Sequence, residues 1–137
     1  MVHLERLAEV VRGFPDVRLA AVFGSAARGE AGPRSDVDLG LLLDPDTREA
    51  RLGVEAALRR AMDRDIDLVY LDTAPPQLRF EIARDGVLLH ARSPGDWADF
   101  RARAMIDWWD WAPTARMIND AAIRRLQERA GATRGSR

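Results

Sequence analysis

The chain has 137 residues, 47% of them hydrophobic and 31% charged, and a formal net charge of −1; this suits one globular domain with one core and gives no basic footprint for nucleic acid. It has no cysteine, two histidines and 21 cationic residues that are all arginine, which excludes disulfides, thiol nucleophiles, cysteine or histidine metal clusters, Schiff bases and a P-loop lysine. Any metal is held mainly by oxygen, and any phosphate by arginine or backbone N–H groups.

In chain order, residues 2–13 place Leu4, Leu7, Val10 and Val11 at helical spacing before Gly13 and Pro15 break the pattern. Glu5 and Glu9 interrupt the apolar run a signal peptide needs, and no stretch of about 18 apolar residues could cross a bilayer, so a cytoplasmic protein is expected. "VRLAAVF", 17–23, is an apolar β-run ending at Gly24, and "SAARGEA" predicts a brief helix with Ser25 at its N-cap, followed by the polar loop "GPRS". "DVDLGLLL", 36–43, predicts the second strand; "DPDT" then turns and caps a helix through about Arg64 that carries Leu58 and Met62. "DIDLVYL", 65–71, predicts the third strand, a short helix carries Leu78 and Ile82 up to a C-cap at Asp85-Gly86, and "VLLHA" predicts a fourth strand at the sheet edge.

From Ser93 the pattern is helical, with Trp97, Phe100, Ala104, Trp108 and Trp111 in one stripe that Pro113 is expected to interrupt. The tail "GATRGSR" suggests disorder. The order α-β-α-β-α-β-α-β-α predicts an α/β or α+β fold: a small mixed sheet of about four strands covered by helices, with a helical C-terminal extension. Trp108, Trp109 and Trp111 crowd more sides of one helix than a single core covers, which leaves core and partner surface both open.

The chemistry concentrates between residues 24 and 67. On a strand, Asp36 and Asp38 would share a face about 6.6 to 6.8 Å apart along the chain, with Val37 and Leu39 facing the other way. Such carboxylates repel unless a cation sits between them, and an all-oxygen donor set suits Mg²⁺ or Mn²⁺. Asp67, at the entry of the next strand, supplies a third carboxylate; Asp65 shares its alternation, but Asp67 directly precedes the apolar Leu68-Val69 and is preferred. Gly24 permits a tight turn or close approach, and Ser25 opens a segment whose N–H groups favour phosphate. A phosphate cradle beside a two-metal carboxylate cluster suggests a nucleoside triphosphate. Arg28, one turn on, is open to reading as an exposed helix residue; Glu30 is expected to be a solvated charge and His90 a structural or surface histidine.

The pattern Gly-Ser, ten residues, Asp-x-Asp in "GSAARGEAGPRSDVDL", followed by "DIDLV", resembles the polymerase-β-like nucleotidyltransferase superfamily. The downstream "DTAPPQLRFEIARDGVLLHA" and "WWDWAPTAR" look like the minimal nucleotidyltransferases that act as antitoxins beside HEPN-domain toxins, over residues 15–117. The resemblance implies a minimal nucleotidyltransferase domain over 1–117 and a helical tail over 118–137. It implies that Gly24 and Ser25 hold the triphosphate of ATP, with Arg28 reaching its phosphate oxygens, that Asp36 and Asp38 bind two Mg²⁺ ions, and that Asp67 completes the catalytic metal site. It further implies AMP transfer to a tyrosine of a HEPN toxin held in a hetero-oligomer. Two other functions stay open: transfer to a small molecule such as an antibiotic, and an antitoxin that neutralises its partner by binding alone. With no second domain to grip RNA, DNA or an aminoglycoside, a protein acceptor is expected, with neither nucleic acid nor membrane as a partner.

Overall fold

The computed structural model describes residues 4–29 and 36–135. Helix α1 (Leu4–Arg12) leads into β1 (Val17–Phe23), the one-turn α2 (Gly24–Ala27), β2 (Val37–Leu43), α3 (Arg48–Ala61), β3 (Ile66–Tyr70), α4 (Pro76–Asp85), β4 (Val87–Ala91) and the long α5 (Asp96–Gly135). This is the predicted order. The sheet runs β3-β2-β1-β4, with β1 antiparallel to β2 and β4, and β2 parallel to β3 through the α3 crossover. β1 is central and buried at every position but Arg18, which is why its sequence is almost continuously apolar. β4 is an edge strand, as predicted.

Strand alternation divides the core in two. Val37, Leu39 and Leu41 of β2 point to one face and pack with Leu7 and Val11 of α1 and Val54 and Leu58 of α3. Leu19, Ala21 and Phe23 of β1 point to the other face and pack with Ile82 of α4 and Phe100 and Ala104 of α5. The sheet is thus sandwiched between α1/α3 and α4/α5. Gly40 lies on the second face, where a Cβ would come 2.7 Å from Leu71 Cδ2, so its lack of a side chain admits the fully buried Leu71.

Local chemistry sets the helix boundaries. Thr47 caps α3 by accepting the Ala50 N–H at 3.1 Å. The helix stops at Ala61 rather than Arg64, because Met62 turns extended and buries its side chain under the sheet. α4 ends at Gly86, as predicted, but for a different reason from a left-handed cap: Gly86 has φ −67°, and a Cβ there would overlap the Ile82 carbonyl. α1 begins by Leu4, and residues 1–3 and the loop 30–35, including Glu30 and "GPRS", lie outside the described residues. Among the described residues no helix is long and apolar enough to cross a membrane.

α5 corrects two expectations. Pro113 does not interrupt it; proline removes its own N–H bond and crowds the carbonyl four residues back, and the helix there is exposed enough for that carbonyl to tilt outward and bond to water. The helix then continues to Gly135, so residues 131–135 of the tail expected to be disordered are helical; the last two lie outside the described residues. Its first half runs antiparallel to α4: Arg101 Nε donates to Ala83 O at 2.9 Å, Arg79 pairs with Asp107 at 2.9 Å, and Phe80 stacks on Trp108 with centroids 5.0 Å apart. The start of α5 is pinned by Asp96, which accepts from Arg18 Nη2 at 3.1 Å and from the Ser93 N–H at 3.0 Å. Those donors hold its carboxyl below the usual aspartate range. The tryptophan question resolves residue by residue: Trp97 packs against the buried core and Trp108 stacks on Phe80, whereas Trp109 is 76% exposed.

Replacing Gly86 with alanine forces the end of α4 away from Ile82. The expected loss is roughly 1–3 kcal/mol of stability, measured as a lower urea midpoint at unchanged m-value.

Candidate active site

Two strand ends meet at one point because β1 and β2 are antiparallel: β1 finishes where β2 begins. In the register, Phe23 lies opposite Asp38, and Asp38 lies opposite Asp67 on parallel β3. Neighbouring strands are about 4.8 Å apart, so Asp38 and Asp67 stand side by side on the face that α4 covers. Gly24 follows Phe23 with φ +70°, and a Cβ on it would overlap Asp38 Oδ2. Glycine is therefore required twice over, by its left-handed backbone and by the carboxylate lying against it.

Ser25 follows in the first turn of α2. It is not the N-cap, as the sequence suggested: that position is Phe23, with extended backbone and no side-chain cap. The difference arises because Gly24, turning with positive φ, already belongs to the helical turn. α2 spans only four residues, so anion binding there would rest on local N–H groups and the Ser25 hydroxyl more than on a summed helix dipole. Arg28 closes the turn, its N–H donating to Gly24 O at 3.3 Å; its charge bears on both Asp38 and Asp85.

Asp36 also departs from expectation. It lies just before β2 and is exposed, so strand alternation with Asp38 does not fix its direction. Its charge nevertheless reaches Asp38, which is pushed above the ordinary aspartate range by burial first, then by Asp67, Asp36 and Glu81, with Arg28 opposing. Asp65, the competitor of Asp67, precedes β3; its carbonyl accepts the Val37 N–H at 3.0 Å and helps fix the start of β2. Glu81 had no signal in the sequence, since no motif marks it and only the docking of α4 brings it near. His90 sits on the edge strand, where burial and Arg12 lower its pKa.

Among the described residues no three histidine, aspartate or glutamate side chains form a ready metal cage. The donor set still fits a hard divalent cation. Mg²⁺ is ordinarily held by one or two carboxylates, with water and substrate phosphate completing the octahedron. Burial first and then the neighbouring carboxylates raise the Asp38 pKa, and such a cation would relieve the repulsion among them.

Residues 5–95 match the family model Polymerase beta, Nucleotidyltransferase, a span that contains all four strands and every candidate site residue. No curated protein sequence matches the chain. Among solved structures, a toxin–antitoxin with AMP-PNP aligns at TM-score 0.73 and 25% identity, over 88% of this chain and 99% of that one. A mutant of the toxin–antitoxin pair MntA-HpeT aligns at 0.72 and 25%, over 89% and 99%. A tri-AMPylated Shewanella oneidensis HEPN toxin in complex with MNT antitoxin aligns at 0.66 and 24%, over 89% and 99%. With the family model spanning about two thirds of its length, this chain belongs to the polymerase β nucleotidyltransferase family.

Proposed function

We propose that the protein transfers AMP from ATP, in a Mg²⁺-dependent reaction, to a tyrosine hydroxyl of a cognate HEPN toxin, and so acts in the cytoplasm as that toxin's antitoxin. The observation that carries this is the juxtaposition of the Gly24 turn, Asp38 and Asp67 on adjoining strands. It sets a left-handed glycine turn directly against a side-by-side carboxylate pair. The toxin–antitoxin with AMP-PNP, similar over 88% of this chain, supports both the nucleotide and the kind of partner.

In this proposal Gly24 and Ser25 hold the triphosphate, Arg28 screens its charge, and Asp36, Asp38 and Asp67 are the ligands for two divalent ions. When bound, those ions would stabilise charge on the phosphoryl oxygens and acidify the acceptor hydroxyl. The acceptor oxygen bonds to the α-phosphorus, the bond to the β-phosphate oxygen breaks in line, and pyrophosphate leaves. Asp67, exposed on the edge strand β3, is a carboxylate a protein side chain can reach, and it orients or accepts the hydroxyl proton. Residues 1–117 form the catalytic unit and 118–137 the helical tail.

The test incubates the protein with α-labelled ATP, Mg²⁺ and the HEPN protein encoded beside it. Label on the toxin, with loss of its RNase activity, is expected. The Asp36→Asn, Asp38→Asn double variant should lower the rate by about 10²-fold or more. Neutralisation by that variant without any label would show an antitoxin acting by binding alone, and label on an added antibiotic but not on the toxin would show a small-molecule enzyme.

Gly24→Ala should abolish AMP-PNP binding in titration calorimetry, since the new methyl group displaces the Asp38 carboxylate. A third outcome follows from the raised Asp38 pKa. The folded state binds that proton more tightly than the unfolded chain, so stability falls as pH rises through the folded pKa. Without divalent cation, Asp38→Asn should therefore unfold at a higher temperature than the wild type at neutral pH. The gain should vanish toward about pH 4, a trend that thermal melts in chelator can follow.

A further inference from the structure

Eighteen residues are five turns of an α-helix, so Ile118, Ala122 and Leu126 lie on the same line along α5 as Phe100, Ala104 and Trp108. The first three of that line to occur in the chain are covered by α4 and the sheet. α4, running antiparallel, begins at Pro76, and Ala112 is the last buried residue of α5 among those described. Beyond it the line continues uncovered, with Ile118 60% and Leu126 64% exposed.

The charges nearest that line among the described residues are Arg125 and Arg129, with Glu128 about 120° around the helix from Ala122. Ala122 and Leu126 share a shallow hollow of about 300 Å³ with Arg125 and Arg129, while Asp120 lies about 160° around the helix from Ala122. A second copy of the chain would bring the same two arginines to this face, with its Glu128 turned toward the flank of the helix. We infer that α5 beyond Ala112 is a docking stem for an acidic amphipathic helix of the acceptor protein, which lies in line with α4 and sets its apolar stripe on Ile118, Ala122 and Leu126, its carboxylates on Arg125 and Arg129. The inference rests on the proposed function only in taking that protein to be the toxin.

The test uses the full chain, Ile118→Glu/Leu126→Glu and Arg125→Glu/Arg129→Glu, against two probes: the HEPN protein, and a synthetic amphipathic helix with leucine at its a and d positions and glutamate beside them. Both double variants should bind either probe about tenfold more weakly or worse, with wild-type melting temperature and AMP-PNP affinity. A lysine counterpart of the peptide should not bind, and salt should weaken the wild-type complexes. Equal binding by wild type and variants overturns the inference while leaving toxin labelling to judge the function. Peptide binding without toxin labelling sinks the function and keeps the stem. Self-association of the wild type that Ile118→Glu/Leu126→Glu dissolves, or binding to phosphatidylserine vesicles in place of the acidic peptide, overturns the stem in favour of a second copy or a membrane surface.

Discussion

The contact on which this molecule turns is the approach of the Gly24 backbone to the Asp38 carboxylate. It exists because β1 and β2 are antiparallel, so the chain leaves β1 beside the point where it enters β2. Only a residue without a Cβ, and with φ near +70°, lets the chain turn there without evicting the carboxylate. Everything catalytic in the proposed function is measured from that contact. Ser25 and Arg28 follow Gly24 along one turn, and Asp67 is set beside Asp38 by the parallel pairing of β3.

Holding carboxylates together in a partly buried row is unfavourable, as the direction of the Asp38 pKa records. The fold offsets it by leaving β2 no freedom to turn. Val37, Leu39 and Leu41 are fully buried on one face, so a one-residue slip would carry three large apolar side chains onto the carboxylate face and Asp38 into the core. The Asp65 carbonyl, bonded to the Val37 N–H, fixes the first residue of the strand. The same core that gives stability therefore fixes the position of an electrostatically costly side chain.

How much of this was legible in the sequence follows from how local each cause is. The strands were legible because burial on both faces leaves an apolar run, and α3 because Thr47 caps it in place. The Asp38–Asp67 pair was legible through spacing to Gly24 and through the repeated Asp-x-apolar entries. Ser25 as an N-cap failed because the positive φ of Gly24 shifts the helical turn back by a residue. Asp36 was read into the strand, but it precedes the first ladder residue. Pro113 was expected to end a stripe, which it does only where a lost backbone bond cannot be made up by water. Glu81 and the division between Trp108 and Trp109 depend on where α4 docks, a long-range outcome with no local mark.

α5 connects the two ends of the argument. At 40 residues it is about 60 Å long, twice what the domain needs to close the α4 face. An isolated helical overhang gains little from propensity alone, and apolar residues at helical spacing on it are unfavourable in water. From Trp108, stacked on α4 one residue from Glu81, to Leu126 the helix rises about 27 Å. That is close to the diameter of a small domain. A partner seated on the stem would lie past the Pro76 end of α4, in line with that helix. α4, which packs against α5, β1 and α2, is the element against which such a partner would abut, so the helix that closes one face of the sheet would also bound the docking stem.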